Sequence, residues 1–137
     1  MSKENVQIVK SFFDSVLKGD IDAARTALAL DIEWIEPEAR GLWFSGAHHG
    51  ADAALREVVE PTFEYVEDFG IRIDEYLDAG DQIAALGNFH GTGKATGKAF
   101  NIQACFVCTV RGGKIARFRA YHNTAQWLEV VRQPVGR

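Results

Sequence analysis

The stretch FNIQACFVCTVRGGKIARFRAYHN, residues 100–123, decides the fold. Two runs rich in β-branched and aromatic residues flank Arg111-Gly112-Gly113-Lys114, whose paired glycines supply the backbone freedom of a tight hairpin turn. From Ile115 onward the side chains alternate, so Phe118, Ala120 and His122 share one face of a strand and Arg117, Arg119 and Tyr121 the other. The apolar face turns inward. His122 therefore stands at the inner end of a buried row, beside Asn123 where the strand stops, and a polar group in that place needs a reason.

The periodicity of two extends upstream. Strands are predicted over 69–77, 82–92, 99–110 and 115–122, with links short enough for an antiparallel meander. Residues 1–68 read differently. Val6, Val9, Phe12, Phe13, Val16 and Leu17 recur at spacings of three and four, with Ser2 placed to cap this helix and Gly19 to stop it. Asp20 caps a shorter second helix running to about Leu30. Ile32, Trp34 and Glu36 then share one side of an extended segment ended by Pro37, which sets a carboxylate beside an indole. Residues 38–50, with Trp43, Phe44 and the pair His48-His49, are too turn-rich for regular structure and too aromatic for an ordinary solvated loop; a lid is one reading, with the histidines expected in solvent. A third helix is predicted from Ala51, kinked or restarted at Pro61. The last helix, 124–131, is capped by Asn123, and the tail from Gln133 is expected to fray.

With 137 residues and a net charge of -4, the chain has the length of one ordinary domain and no basic cluster for nucleic acid or an anionic membrane. One domain, 1–132, is expected. Residues 1–18 do not read as a signal peptide and no apolar run approaches a membrane span, so the expected location is cytoplasmic. Cys105 and Cys108, three apart on a strand, point to opposite faces and do not pinch a metal. The four histidines show no compact ligand spacing, and Gly91-Thr92-Gly93-Lys94 joins two strands and opens no helix, so neither a metal nor a nucleotide or other cofactor is expected.

Helices first and strands afterwards indicate an α+β layer fold. A set of short motifs then carries a resemblance: Gly19-Asp20, Ile32-Glu33-Trp34-Ile35-Glu36-Pro37, Asp78-Ala79-Gly80-Asp81, Thr96-Gly97-Lys98, Gly113-Lys114-Ile115 and Tyr121-His122-Asn123-Thr124. In order and spacing the chain resembles the SnoaL-like, ketosteroid-isomerase-like branch of the nuclear transport factor 2-like superfamily. The resemblance implies a cystatin-like α+β barrel: a cone-shaped, curved antiparallel sheet packed on N-terminal helices around an internal pocket, commonly as a homodimer. The outer sheet face, with Leu86 and Val107, is the expected dimer surface.

The resemblance also implies site residues. Glu36 falls where ketosteroid isomerases carry their carboxylate base, and shielding by Trp34 would make its charged form less comfortable, as proton transfer near neutrality requires. Their oxyanion donors are missing: the phenol position holds Phe12, and residues 104–106 contain no acid. The cyclase-like branches resemble Tyr121-His122-Asn123 but place an aspartate where Asn123 stands, leaving His122 as the group able to exchange a proton near neutral pH. The candidate catalytic set is Glu36 as base with His122, assisted by Asn123 or Trp43, orienting or donating. Phe12, Trp34, Trp43, His49, Phe89, Phe106 and Phe118 are the candidate ligand contacts, while His90, opposite Phe89 on its strand, is expected outside. The function expected is binding of a small apolar or polycyclic carbonyl-type molecule with cofactor-independent acid/base chemistry. The alternative is a non-catalytic carrier dimer of the same fold.

Overall fold

The computed structural model describes residues 2–131, apart from the Ser2 side chain. The expected fraying from Gln133 and a capping role for the Ser2 side chain lie outside the described residues. Helix α1 (Ser2–Leu17) ends at Gly19, whose φ of 74° is one a side chain would resist, and Asp20 accepts the Ala23 N–H at 3.1 Å to start α2 (Ile21–Ala27). Strand β1 (Leu28–Ile35) follows directly. The second helix thus stops before Leu30: Leu28 is buried and pairs with Ile115, so tertiary pairing overrides a segment whose apolar spacing fits either period.

The 38–50 segment contains the short strand β2 (Ala47–His49), which sequence reasoning missed; it pairs antiparallel with β1 through Trp34 and His48. Leu42 and Phe44 are buried, so the intervening loop packs into the core. Helix α3 (Ala51–Ala54) widens into a π-turn (Leu55–Val59) before α4 (Glu60–Tyr65). Pro61 has no N–H for the Glu57 carbonyl and crowds it, which accounts for the wider turn just upstream.

Strands β3 (Val66–Asp78), β4 (Gln82–Gly93), β5 (Ala99–Arg111) and β6 (Lys114–His122) form the antiparallel meander, and α5 (Thr124–Val131) closes the described chain. The six-stranded sheet runs β2-β1-β6-β5-β4-β3, curved around α1 and left open at its edges. This is the expected α+β cone of a curved sheet packed on the N-terminal helices, with one pair of strands departing from the expected antiparallel arrangement. Its edges stay open, and β1 pairs with β6 in parallel across the β2-to-β5 elements that separate them in sequence. The inward row predicted for β6 is present in Phe118, Ala120 and His122, and it meets Phe12 and Phe13 of α1. Among the described residues no helix is long and apolar enough to cross a membrane.

Candidate active site

The parallel register of β1 on β6 builds the centre of the site. Trp34 lies opposite Phe118 and stacks on it with ring centroids 3.8 Å apart, so two residues further along each strand the same face carries Glu36 and Ala120, with His122 next in its row. His122 Nε2 and Glu36 Oε1 are 2.9 Å apart, with side chains only 1% and 6% exposed. The second carboxylate oxygen, Oε2, accepts the Trp34 indole N–H at 2.8 Å. Trp34 can only donate, and a carboxylate with both oxygens taken by N–H groups is the arrangement that best compensates a buried negative charge. We accordingly assign the His122 ring proton to Nε2, donating to Glu36, which leaves the lone pair on Nδ1.

That nitrogen has no partner among the described residues, and neither has the indole nitrogen of Trp127. Both rings border the central cavity, together with Phe12, Phe89, Phe106 and Phe118. Free space inside it is about 50 Å³. Its aromatic wall packs edge to face: Phe44 and Phe89 lie 5.0 and 5.1 Å from the His122 ring. Trp43 borders the cavity as well, donating its indole N–H to the Val58 carbonyl at 3.0 Å and stacking on Tyr65 at 4.8 Å; Trp43 also lines a surface groove, as Tyr65 does.

Of the candidate ligand contacts, Phe12, Trp34, Trp43, Phe89, Phe106 and Phe118 all border the cavity. His49 does not: it pairs with Glu33 at the sheet edge and is exposed, because on a strand it must point opposite to its neighbour His48, which the core takes. Asn123 is likewise exposed. Its side-chain oxygen accepts the Gln126 N–H at 3.2 Å and caps α5, so it stands apart from the Glu36–His122 pair. The expectation that His48 is solvated is also corrected. Its Nε2 lies 2.8 Å from the Phe44 carbonyl and its Nδ1 2.7 Å from Glu57 Oε1. These two contacts hold the ring in place inside the fold. The contact with His48 holds the Glu57 carboxyl below its ordinary range. His90 is exposed, lying over Gly70 where any Cβ would strike its ring.

Sequence reasoning missed Trp127 as a polar wall of the cavity. It lies on the last helix, and nothing in the local sequence pattern shows that its N–H goes unpaired. Cys108 is buried and Cys105 half-buried on the opposite face of β5, and burial raises both thiols. Among the described residues no three His, Cys, Asp or Glu side chains gather as a metal-binding group.

The family model for the SnoaL-like domain matches residues 9–118. The chain belongs to the SnoaL-like family. A crystal structure of an NTF2-like protein from Burkholderia xenovorans LB400 is 31% identical to this SnoaL-like chain, covering 96% of it and 98% of that protein with a TM-score of 0.82. TerC, crystallised with polyporic acid, is 19% identical over 95% of this chain and 99% of its own, with a TM-score of 0.85. A protein described as a SnoaL-like polyketide cyclase, from Jannaschia sp. CCS1, is 15% identical over 97% and 94%, at 0.83. At these lower identities the likeness speaks for the fold. No curated protein matches the sequence. The SnoaL-like domain is thus of a fold whose solved members include a small-molecule complex, and fold alone leaves the chemistry open.

Proposed function

We propose that this SnoaL-like chain binds a small, largely apolar carbonyl-type molecule in the aromatic cavity and moves a proton on it through His122, with no cofactor. The observation that carries the reading is the Glu36–His122 pair, 2.9 Å apart and almost wholly buried, with the remaining imidazole nitrogen unpaired among the cavity side chains. It reverses the roles read from sequence. Glu36 has both oxygens committed to Trp34 and His122, so it serves as a positioning residue that fixes the tautomer and stabilises the imidazolium. His122 Nδ1 is then the base: it takes a proton from an acidic C–H or O–H of the bound molecule and returns it at another position. The apolar wall excludes water and strengthens these interactions.

The free volume of about 50 Å³ is well below the several hundred ångström-cubed of a typical ligand site, so a ring system enters only as Trp43 and Tyr65 part. We extend the proposal to assembly: the convex face, where Leu86 and Val107 are half-buried and Tyr121 stands 52% exposed, pairs two subunits, and a monomer in sedimentation would refute this.

The test is deuterium exchange at the α-carbon of a panel of enolisable ketones in D2O, followed by NMR. The wild type accelerates exchange, and His122→Gln reduces the effect by about 10²–10⁴-fold. Binding without exchange would favour the carrier reading. Absence of both binding and exchange would overturn the proposal.

A further inference from the structure

Three buried side-chain nitrogens lack partners among the described residues: Arg119 Nε, His122 Nδ1 and Trp127 Nε1. Arg119 lies on the outer face of β6, where its guanidinium donates to Gln82 Oε1 at 3.0 Å. The other two belong to rings that border one cavity, with centroids 6.1 Å apart. Leaving a buried polar group unpaired is costly, and two in one small space point to something that pairs them. Their polarity is complementary. The Trp127 indole can only donate, whereas His122 Nδ1, with its proton assigned to Nε2, accepts.

A hydroxyl is the smallest group that answers both demands, donating its proton to one nitrogen while its oxygen accepts from the other. A bare ketone answers only Trp127, and an aliphatic amine, protonated near neutral pH, answers only His122. We infer that Trp127 is a ligand-contacting residue, and that its indole N–H and His122 Nδ1 together recognise one hydroxyl of a phenolic or enolic ligand. The inference rests on the proposed ligand-binding role of the cavity and narrows it to molecules that present an O–H to the imidazole. Phe44 and Phe89 flank both rings, which suits an aromatic or conjugated carrier for that hydroxyl.

The experiment titrates the intact protein with three molecules of similar size: p-cresol, which has donor and acceptor; 4-methylanisole, with an acceptor alone; and p-xylene, with neither. Binding is read from the indole Hε1–Nε1 NMR signals, the Trp127 peak being the one that disappears in Trp127→Phe. The expected result is that p-cresol binds about tenfold more tightly than p-xylene, with 4-methylanisole between them, and moves the Trp127 indole proton downfield. In Trp127→Phe, p-cresol weakens by about tenfold while p-xylene does not change. Equal binding of p-cresol and p-xylene, or an equal loss of both in the variant, would overturn this inference and leave the ligand-binding role standing. If none of the three binds, both readings fall. Should Trp127→Phe not fold, the wild-type indole shift and the order of the three ligands decide alone.

Discussion

Replacing Glu36 by glutamine tests the pair at the centre of the cavity. The carboxylate accepts from Trp34 and His122, and glutamine keeps its shape but has one accepting oxygen and one NH2. Trp34 has no way to accept, so the amide oxygen stays with Trp34 and the NH2 turns to His122 Nε2. The imidazole can adapt only by moving its proton to Nδ1. Glu36→Gln should therefore switch the His122 tautomer, turning the unpaired acceptor Nδ1 into a donor. Two charge-assisted bonds of about 1.5–3 kcal/mol become neutral ones of about 0.5–1.5, a loss of roughly 2–3 kcal/mol. Relief of a buried charge returns part of it, leaving about 1–2 kcal/mol. For a domain of this length that corresponds to a Tm lower by roughly 3–10 °C. Long-range ¹H–¹⁵N spectra report the tautomer and thermal unfolding the stability. The wild type should show protonated Nε2 and the variant protonated Nδ1. An unchanged tautomer with an unchanged Tm would refute the assignment.

Three further outcomes follow from other parts of the fold. Because His48 lowers the Glu57 carboxyl, that pair contributes stability above the unfolded carboxyl value near 4.5 and loses it as pH falls through the lower folded value. Glu57→Gln should melt a few degrees below wild type at pH 6–7, and the gap should close in acid; a constant gap would contradict the pairing. A Cβ on Gly93 would meet the Val130 carbonyl oxygen at 1.8 Å, so Gly93→Ala must displace α5 and should cost about 1–3 kcal/mol in denaturant unfolding. Its effect should reach the Trp127 indole signal. Burial raises both thiols, so a disulfide reagent at pH 8 should label the half-buried Cys105 slowly and Cys108 only after unfolding; rapid labelling of both would place β5 wrongly.

The meander and the inward face of β6 were legible because alternation, a Gly-Gly turn and short links all agree, and Gly112 and Gly113 do adopt φ of 58° and 79°. The start of β1 was not, since Leu28 fits a helix or a strand until Ile115 pairs with it. Placing Glu36 and His122 on one inward side was equally a matter of alternation. Which of them keeps an unpaired atom was hidden, because it turns on where each nitrogen and oxygen finds a partner across 86 positions of sequence. His48 was misread for the same reason: its partners are a carbonyl turned inward by the loop and a carboxylate on the π-turn. Asn123 stood between two meanings, and the Gln126 N–H decides for the cap.

The most direct measurement is a crystal structure of the wild-type protein grown with 4-hydroxyacetophenone, which carries both a carbonyl and an acidic hydroxyl. The account predicts density within the aromatic cavity and a ligand oxygen within about 3.2 Å of His122 Nδ1, with Glu36 still holding Nε2. A cavity filled by the protein's own side chains, or a ligand whose oxygens never approach that nitrogen, would contradict it.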